Sequence, residues 1–165
     1  MHEVKQCVLT DEMRAAIAVE LKKYPDTQKK SASLAAIMIV QDLGEGWVTN
    51  DQLDSIAMLL EVTPIEMYEV ATFYTMCKRD KVAKHTIEVC TNVPCMLNGA
   101  ESLAAHIKKR VGVTAYGEIT QDGRLSVEEV ECLGACVNAP MCQIGKSYHE
   151  RLTPEKIDRI IDELE

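Results

Sequence analysis

Aromatic side chains are nearly missing: the 165 residues hold one Phe, one Trp and five Tyr. A core of stacked rings is therefore excluded, and Leu, Ile, Val, Met and Ala must fill the interior. Positive charge is also short, with 18 Lys plus Arg against 26 Asp plus Glu and a net charge of −8. A nucleic-acid binder needs a basic face to displace counterions. No strongly basic block exists here, so nucleic acid is not an expected partner. Long apolar runs are absent too. The uncharged stretches Ser31–Gln41 and Cys132–Gly145 fall short of the roughly 18–20 apolar residues that span a bilayer, so direct membrane insertion is not expected. Met1–Cys7 has no apolar signal core, and Asp11 and Glu12 argue against a transit peptide. The expectation is a soluble chain that stays where it is made.

What the sequence does have is cysteine, seven in all. An odd number without an export signal argues against a disulfide framework and for ligation or redox chemistry.

The first half reads as short amphipathic helices. Asp11 and Glu12 favour a helix start, and Met13, Ile17 and Leu21 recur up to Tyr24-Pro25. A second helix spans Ser33 to Leu43, with Gly44 and Gly46 at its end. Thr49 begins a capping box with Gln52, ahead of the stripe Leu53, Ile56, Ala57 and Leu60. Thr63-Pro64-Ile65-Glu66 is a fuller start signal, with Thr at the cap, Pro at the first position and Glu at the third. Four such helices suggest a small bundle.

The period changes after Lys84. His85–Val89 alternates like a strand and delivers Cys90. Asn98-Gly99 opens a helix with Leu103, Ala104, Ile107 and Val111 on one face, closed by Gly112. Gln121–Arg124 is a hairpin turn signal between the expected strands Gly117–Thr120 and Leu125–Val130. Short strands follow at Met141–Ile144 and around Tyr148, and Thr153-Pro154 starts the last helix. The fold class expected is α+β or α/β. Residues 1–80 form a helical bundle region and 81–165 a second domain, with Cys77–Lys84 as the linker.

Four cysteines form two close pairs, Cys90-Thr-Asn-Val-Pro-Cys95 and Cys132-Leu-Gly-Ala-Cys136. Each pair follows an expected strand, and the C-terminal ends of strands in such a sheet lie side by side around a crevice. Four thiolates converging there describe a tetrahedral zinc site or an iron–sulfur cluster. The spacings are wider than a zinc knuckle's, and Gly99, Gly134, Ala135 and Ala139 let backbone N–H groups approach sulfur. Both features favour a [2Fe–2S] cluster, with structural zinc and unligated thiols as the other readings. Cys7, Cys77 and Cys142 read as incidental, and His85, His106 and His149 have no ligand spacing with the pairs. Glu128, Glu129 and Glu131 read either as a solvated strand face or as charge that lowers the cluster's potential. No glycine-rich nucleotide fingerprint follows a strand, so no NADH site is expected on this chain.

The two cysteine pairs, Glu131 and Ala139-Pro140 together resemble the thioredoxin-like [2Fe–2S] subunit of respiratory complex I, the bacterial E subunit. Val70-Ala-Thr-Phe-Tyr-Thr-Met76 is similar to that family's inter-domain motif, as is Tyr148 followed by Leu152-Thr-Pro-Glu155. The resemblance runs from about Thr10 to Leu164 and departs at Cys77 and Cys142, where bulky and aliphatic residues are usual. It implies an N-terminal helical region and a thioredoxin-like ferredoxin domain with one [2Fe–2S] cluster on Cys90, Cys95, Cys132 and Cys136. It also places Pro140 where such folds often carry a cis-proline. It implies a role as an electron-transfer subunit of NADH:quinone oxidoreductase, on the cytoplasmic side of the inner membrane. The implied partners are a flavoprotein subunit that binds FMN and NADH and other subunits of the peripheral arm. The same subunit type occurs in NAD-linked hydrogenases and formate dehydrogenases, which remains an alternative assembly.

Overall fold

The computed structural model describes residues 8–164, and the Cys7 reading lies outside them. It divides into two compact units, Met1–Lys81 and Val82–Glu165.

The first unit contains four helices: α1 (Asp11–Leu21), α2 (Ser33–Leu43), α3 (Asn50–Leu60) and α4 (Pro64–Phe73). Each begins or ends where the side-chain chemistry says it should. Thr10 caps α1 by accepting from the Met13 N–H at 3.2 Å. Thr49 and Gln52 satisfy each other's backbone N–H groups at 2.8 and 3.1 Å, the capping box expected for α3. The Glu66 carboxylate accepts from both the N–H and the hydroxyl of Thr63, and Lys30 also donates to it. That Lys30 contact, followed by the Thr63 bonds, draws the Glu66 carboxyl down to about 2. Inside, Met13, Ile17, Ile37, Val40, Leu53, Ile56, Leu60 and Met67 are buried in one core, joined by Cys77. One element has no counterpart in the sequence pattern, a 3₁₀ stretch at Asp26–Ala32 kinked at Gln28, which links α1 to α2.

Gln41 is one of the buried polar side chains of this unit, with Ser33, Asp54 and Ser55. Its amide donates to the Met76 carbonyl at 3.1 Å and accepts from the Lys78 N–H at 2.8 Å. It thereby pins the chain leaving α4 against α2. Replacing Gln41 with the similarly sized Leu removes both hydrogen bonds, and an expected loss of about 2 kcal/mol follows, read from the unfolding midpoint in urea.

The second unit is a mixed four-stranded sheet ordered β2-β1-β3-β4. The strands are β1 (His85–Cys90), β2 (Leu125–Val130), β3 (Cys142–Ile144) and β4 (Ser147–His149). β1 and β2 are parallel, while β3 is antiparallel to both β1 and β4. A parallel pair needs a crossover, and α6 (Ala100–Val111) supplies it after the short α5 (Val93–Leu97). Gly112 ends α6 at φ +82, a left-handed cap that glycine adopts without strain. Along β1, Ile87 and Val89 point into the core while Glu88 between them is only partly buried. That core is shared with Val127, Ile144, α6 (Leu103, Ala104, Ile107) and the final helix α7 (Pro154–Glu163), through Ile157 and Ile161.

One expected strand is corrected. Gly117–Thr120 does not form a full strand: only Ile119 bridges to Ser126. The Glu118 carboxylate accepts from the Thr114 N–H, the Thr114 hydroxyl and the Ala115 N–H, which wraps the chain into a turn just before the hairpin. Pairing with β2 is therefore confined to this bridge and the bonds from the Gly117 N–H to the Val127 carbonyl and from the Thr120 N–H to the Leu125 carbonyl. With seven α-helices and a mixed sheet among the described residues, the fold class is α+β.

Candidate metal centre

The cysteine pairs sit where the parallel strands end. Cys90 is the last residue of β1, in register with Val130, the last of β2, so the two exits are neighbours. Cys95 lies within α5, a helix where the sequence pattern suggested only loop. Its start signals are nonetheless present: Asn92 takes the extended cap conformation and Pro94 sits in the first turn. Cys132 follows β2 by two residues, and Cys136 opens a 3₁₀ turn, Cys136–Asn138.

The two pairs differ in exposure. Cys90 and Cys95 are 2% and 1% exposed, packed with Ala100 and Met141, whereas Cys132 and Cys136 are open to solvent. Within each pair the thiols are close enough to influence each other's protonation, and Cys136 lies within electrostatic reach of both Cys90 and Cys95. Burial, then the neighbouring Cys90 thiol, pushes the Cys95 thiol up to about 11. The neighbouring Cys132 thiol, ahead of burial, raises that of Cys136. Cys95 and Cys136 thus hold their protons more firmly than ordinary thiols, and a bound cationic centre would reverse this, since a coordinating thiol is deprotonated outright.

The surrounding backbone suits thiolates. The Gly134 N–H donates to Cys132 Sγ at 3.4 Å, in keeping with the small residues of this loop. Gly134 has φ +83, a left-handed turn that folds this donor back over the sulfur. The Met141 carbonyl accepts from the Cys90 N–H at 3.2 Å, and the Met141 backbone amide favours the Cys95 thiolate. Such bonds are the usual means by which a protein tunes a thiolate-ligated centre. Among the described residues no three His, Cys, Asp or Glu side chains converge on a single point. The thiols stand as two pairs, Cys90 with Cys95 and Cys132 with Cys136.

Several supports of this site have little signal in the sequence. The Tyr148 hydroxyl donates to the Leu133 carbonyl at 2.7 Å, fastening the second loop to β4. Asn138 donates to Glu150 Oε2 and accepts from Arg151 Nε, at 2.8 and 2.9 Å. The Ala139–Pro140 peptide is cis. Glu129 and Glu131 also prove to be engaged, accepting from Thr91 and Asn92. Of the remaining cysteines, Cys142 is fully buried opposite Val89, and burial pushes its thiol up to about 12, so it packs as a small hydrophobe. Cys77 is buried in the helical unit. His106 pairs with Asp158 at 2.8 Å between α6 and α7, and His85 opens β1 at the end away from Cys90.

Fold and site together define a small α+β domain with a four-cysteine loop site at the ends of parallel strands. The family model for the thioredoxin-like [2Fe-2S] ferredoxin matches residues 17–165, and the chain belongs to that family. The E subunit of NADH-quinone oxidoreductase from Rickettsia bellii is 44% identical over 144 residues, 87% of this chain and 86% of that one. Mitochondrial NADH dehydrogenase [ubiquinone] flavoprotein 2 of Dictyostelium discoideum is 36% identical over 94% of this chain and 62% of its own. Among solved structures, NAD+-reducing [NiFe]-hydrogenase in the H2-reduced state superposes with a TM-score of 0.67 at 24% identity. That match covers 81% of this chain but 22% of the other, a likeness of fold.

Proposed function

We propose that this chain is an electron-transfer subunit of an NADH:quinone oxidoreductase, with one [2Fe–2S] cluster held by Cys90, Cys95, Cys132 and Cys136. The observation that carries the reading is the pair of thiol pairs at the adjacent ends of β1 and β2, in a chain that spans most of a relative named as such a subunit. The cluster, when bound, supplies a one-electron carrier. The chain's residues do the rest. Cys90 and Cys95 anchor the buried side, the Gly134 and Met141 amides stabilise thiolate charge, and Cys132 and Cys136 keep the other side near the surface. Val93, Leu97 and Val137, next to the cysteines in sequence, are exposed apolar residues suited to a protein partner.

The partner in this reading is a flavoprotein subunit that binds FMN and NADH, alongside other peripheral-arm subunits. Residues 1–80 and 81–165 act as separate domains, the helical one supplying much of the docking surface. Among the described residues no helix is long and apolar enough to cross a membrane. Attachment to the cytoplasmic face of the inner membrane would come through the complex. The hydrogenase fold is shared, but relatives above 40% identity carry the oxidoreductase name and support that assembly. The chain purified without air should be coloured and contain iron and acid-labile sulfide in equal amounts. A colourless protein carrying zinc would overturn the reading.

A further inference from the structure

We infer that Glu129 and Glu131 are positioning residues, latching the Cys90–Cys95 loop to the approach to Cys132 so that the two thiol pairs stay in register. The inference rests on the cluster reading above. The backbone ladder between β1 and β2 runs out at the bond from the Thr91 N–H to the Val130 carbonyl, 3.2 Å. Two side-chain bonds reinforce this end, one beside that last ladder bond and one beyond it. The Thr91 hydroxyl donates to Glu129 Oε1 at 2.8 Å, and Asn92 Nδ2 donates to Glu131 Oε2 at 2.9 Å.

The placement is what gives these bonds their use. Asn92 lies two residues after Cys90, and Glu131 immediately precedes Cys132, so one hydrogen bond runs from the first thiol pair's loop to the second's. The acceptors are carboxylates, and bonds to an ionised acceptor are about twice as strong as neutral ones. Both carboxylates are exposed, yet each accepts a hydrogen bond from the loop that follows Cys90.

Position and charge can be separated, because a Gln at 131 keeps an oxygen for Asn92 but removes the charge. The full, cluster-loaded chain is compared with E131A, N92A, the E131A/N92A double variant and E131Q. Iron release to excess chelator and the midpoint potential are measured for each. Glu131 is exposed and Asn92 only half-buried, so both cores stay intact in the variants. E131A and N92A should each release iron about tenfold faster, with the double variant no faster than either, as expected for one shared hydrogen bond to a charged group. E131Q keeps an oxygen for Asn92 but offers only a weaker, neutral bond, so it should release iron at a rate between those of the parent and E131A, while its potential rises because negative charge beside a cluster disfavours adding an electron. Parent rates in E131A and N92A, or effects that multiply in the double variant, overturn the latch. So does E131Q losing iron like E131A, which would make charge rather than position the cause. A parent chain without iron and sulfide defeats the cluster reading itself, before any variant is compared.

Discussion

Changing any one of Cys90, Cys95, Cys132 or Cys136 to Ser should strip the chain of most of its iron and visible absorption. Thiolate ligation holds an iron–sulfur cluster, and a serine hydroxyl is neither ionised at neutral pH nor a soft donor. The two pairs should fail differently. At Cys90 and Cys95, which are almost fully buried, Ser places a hydroxyl in an apolar pocket and costs the apo fold about 1–3 kcal/mol as well. At the exposed Cys132 and Cys136 the iron-free fold should keep its stability. Iron content measured beside the unfolding midpoint separates the two cases. Cys142 is the control, because it lies on β3 in the core of the sheet and takes no part in either pair. Ala there should cost stability and leave iron intact. Full iron loss in a folded Cys142→Ala protein would show that the pairs are wrongly assigned.

NADH added in any excess to the purified, flavin-free chain should leave its spectrum unchanged, although a strong chemical reductant bleaches it. The chain carries no glycine-rich fingerprint after a strand with which to hold a dinucleotide. There is a second reason, set by electron count. NADH delivers a hydride, which carries two electrons, whereas a single cluster takes one, so a flavin has to stand between them. Supplying the FMN-loaded flavoprotein should therefore make an NADH-generated paramagnetic signal appear. The acidic approach to Cys132 acts against full reduction, and a redox titration of the complex measures how far it goes. Reduction of the isolated chain by NADH alone would refute its dependence on a partner.

Much of the architecture is legible in the sequence because its signals are local. Thr49 with Gln52, and Thr63-Pro64 with Glu66, are cap chemistry written within four residues, and α3 and α4 begin where they say. The alternation at His85–Val89 and the helix between Gly99 and Gly112 likewise survive intact. Pattern and structure part where local signals compete. The hairpin turn at Gln121–Arg124 is real, but the Glu118 turn curtails the strand expected before it. In α5, the ligand spacing of Cys90 and Cys95 overlies an ordinary helix start at Asn92 and Pro94.

By itself, then, the sequence determined the order of most helices and strands and which cysteines come in close pairs. All of these follow from residues near one another in the chain. Only the tertiary structure decided that one pair is buried and the other exposed, that Gln41 holds the exit from α4, and that Thr91 and Asn92 reach Glu129 and Glu131. Those last partners stand 38 and 39 positions apart. Periodicity and spacing describe which face a residue takes within its own element. They carry no record of which distant element arrives opposite it, because that is settled by how β1 and β2 pair once α6 has carried the chain across the sheet.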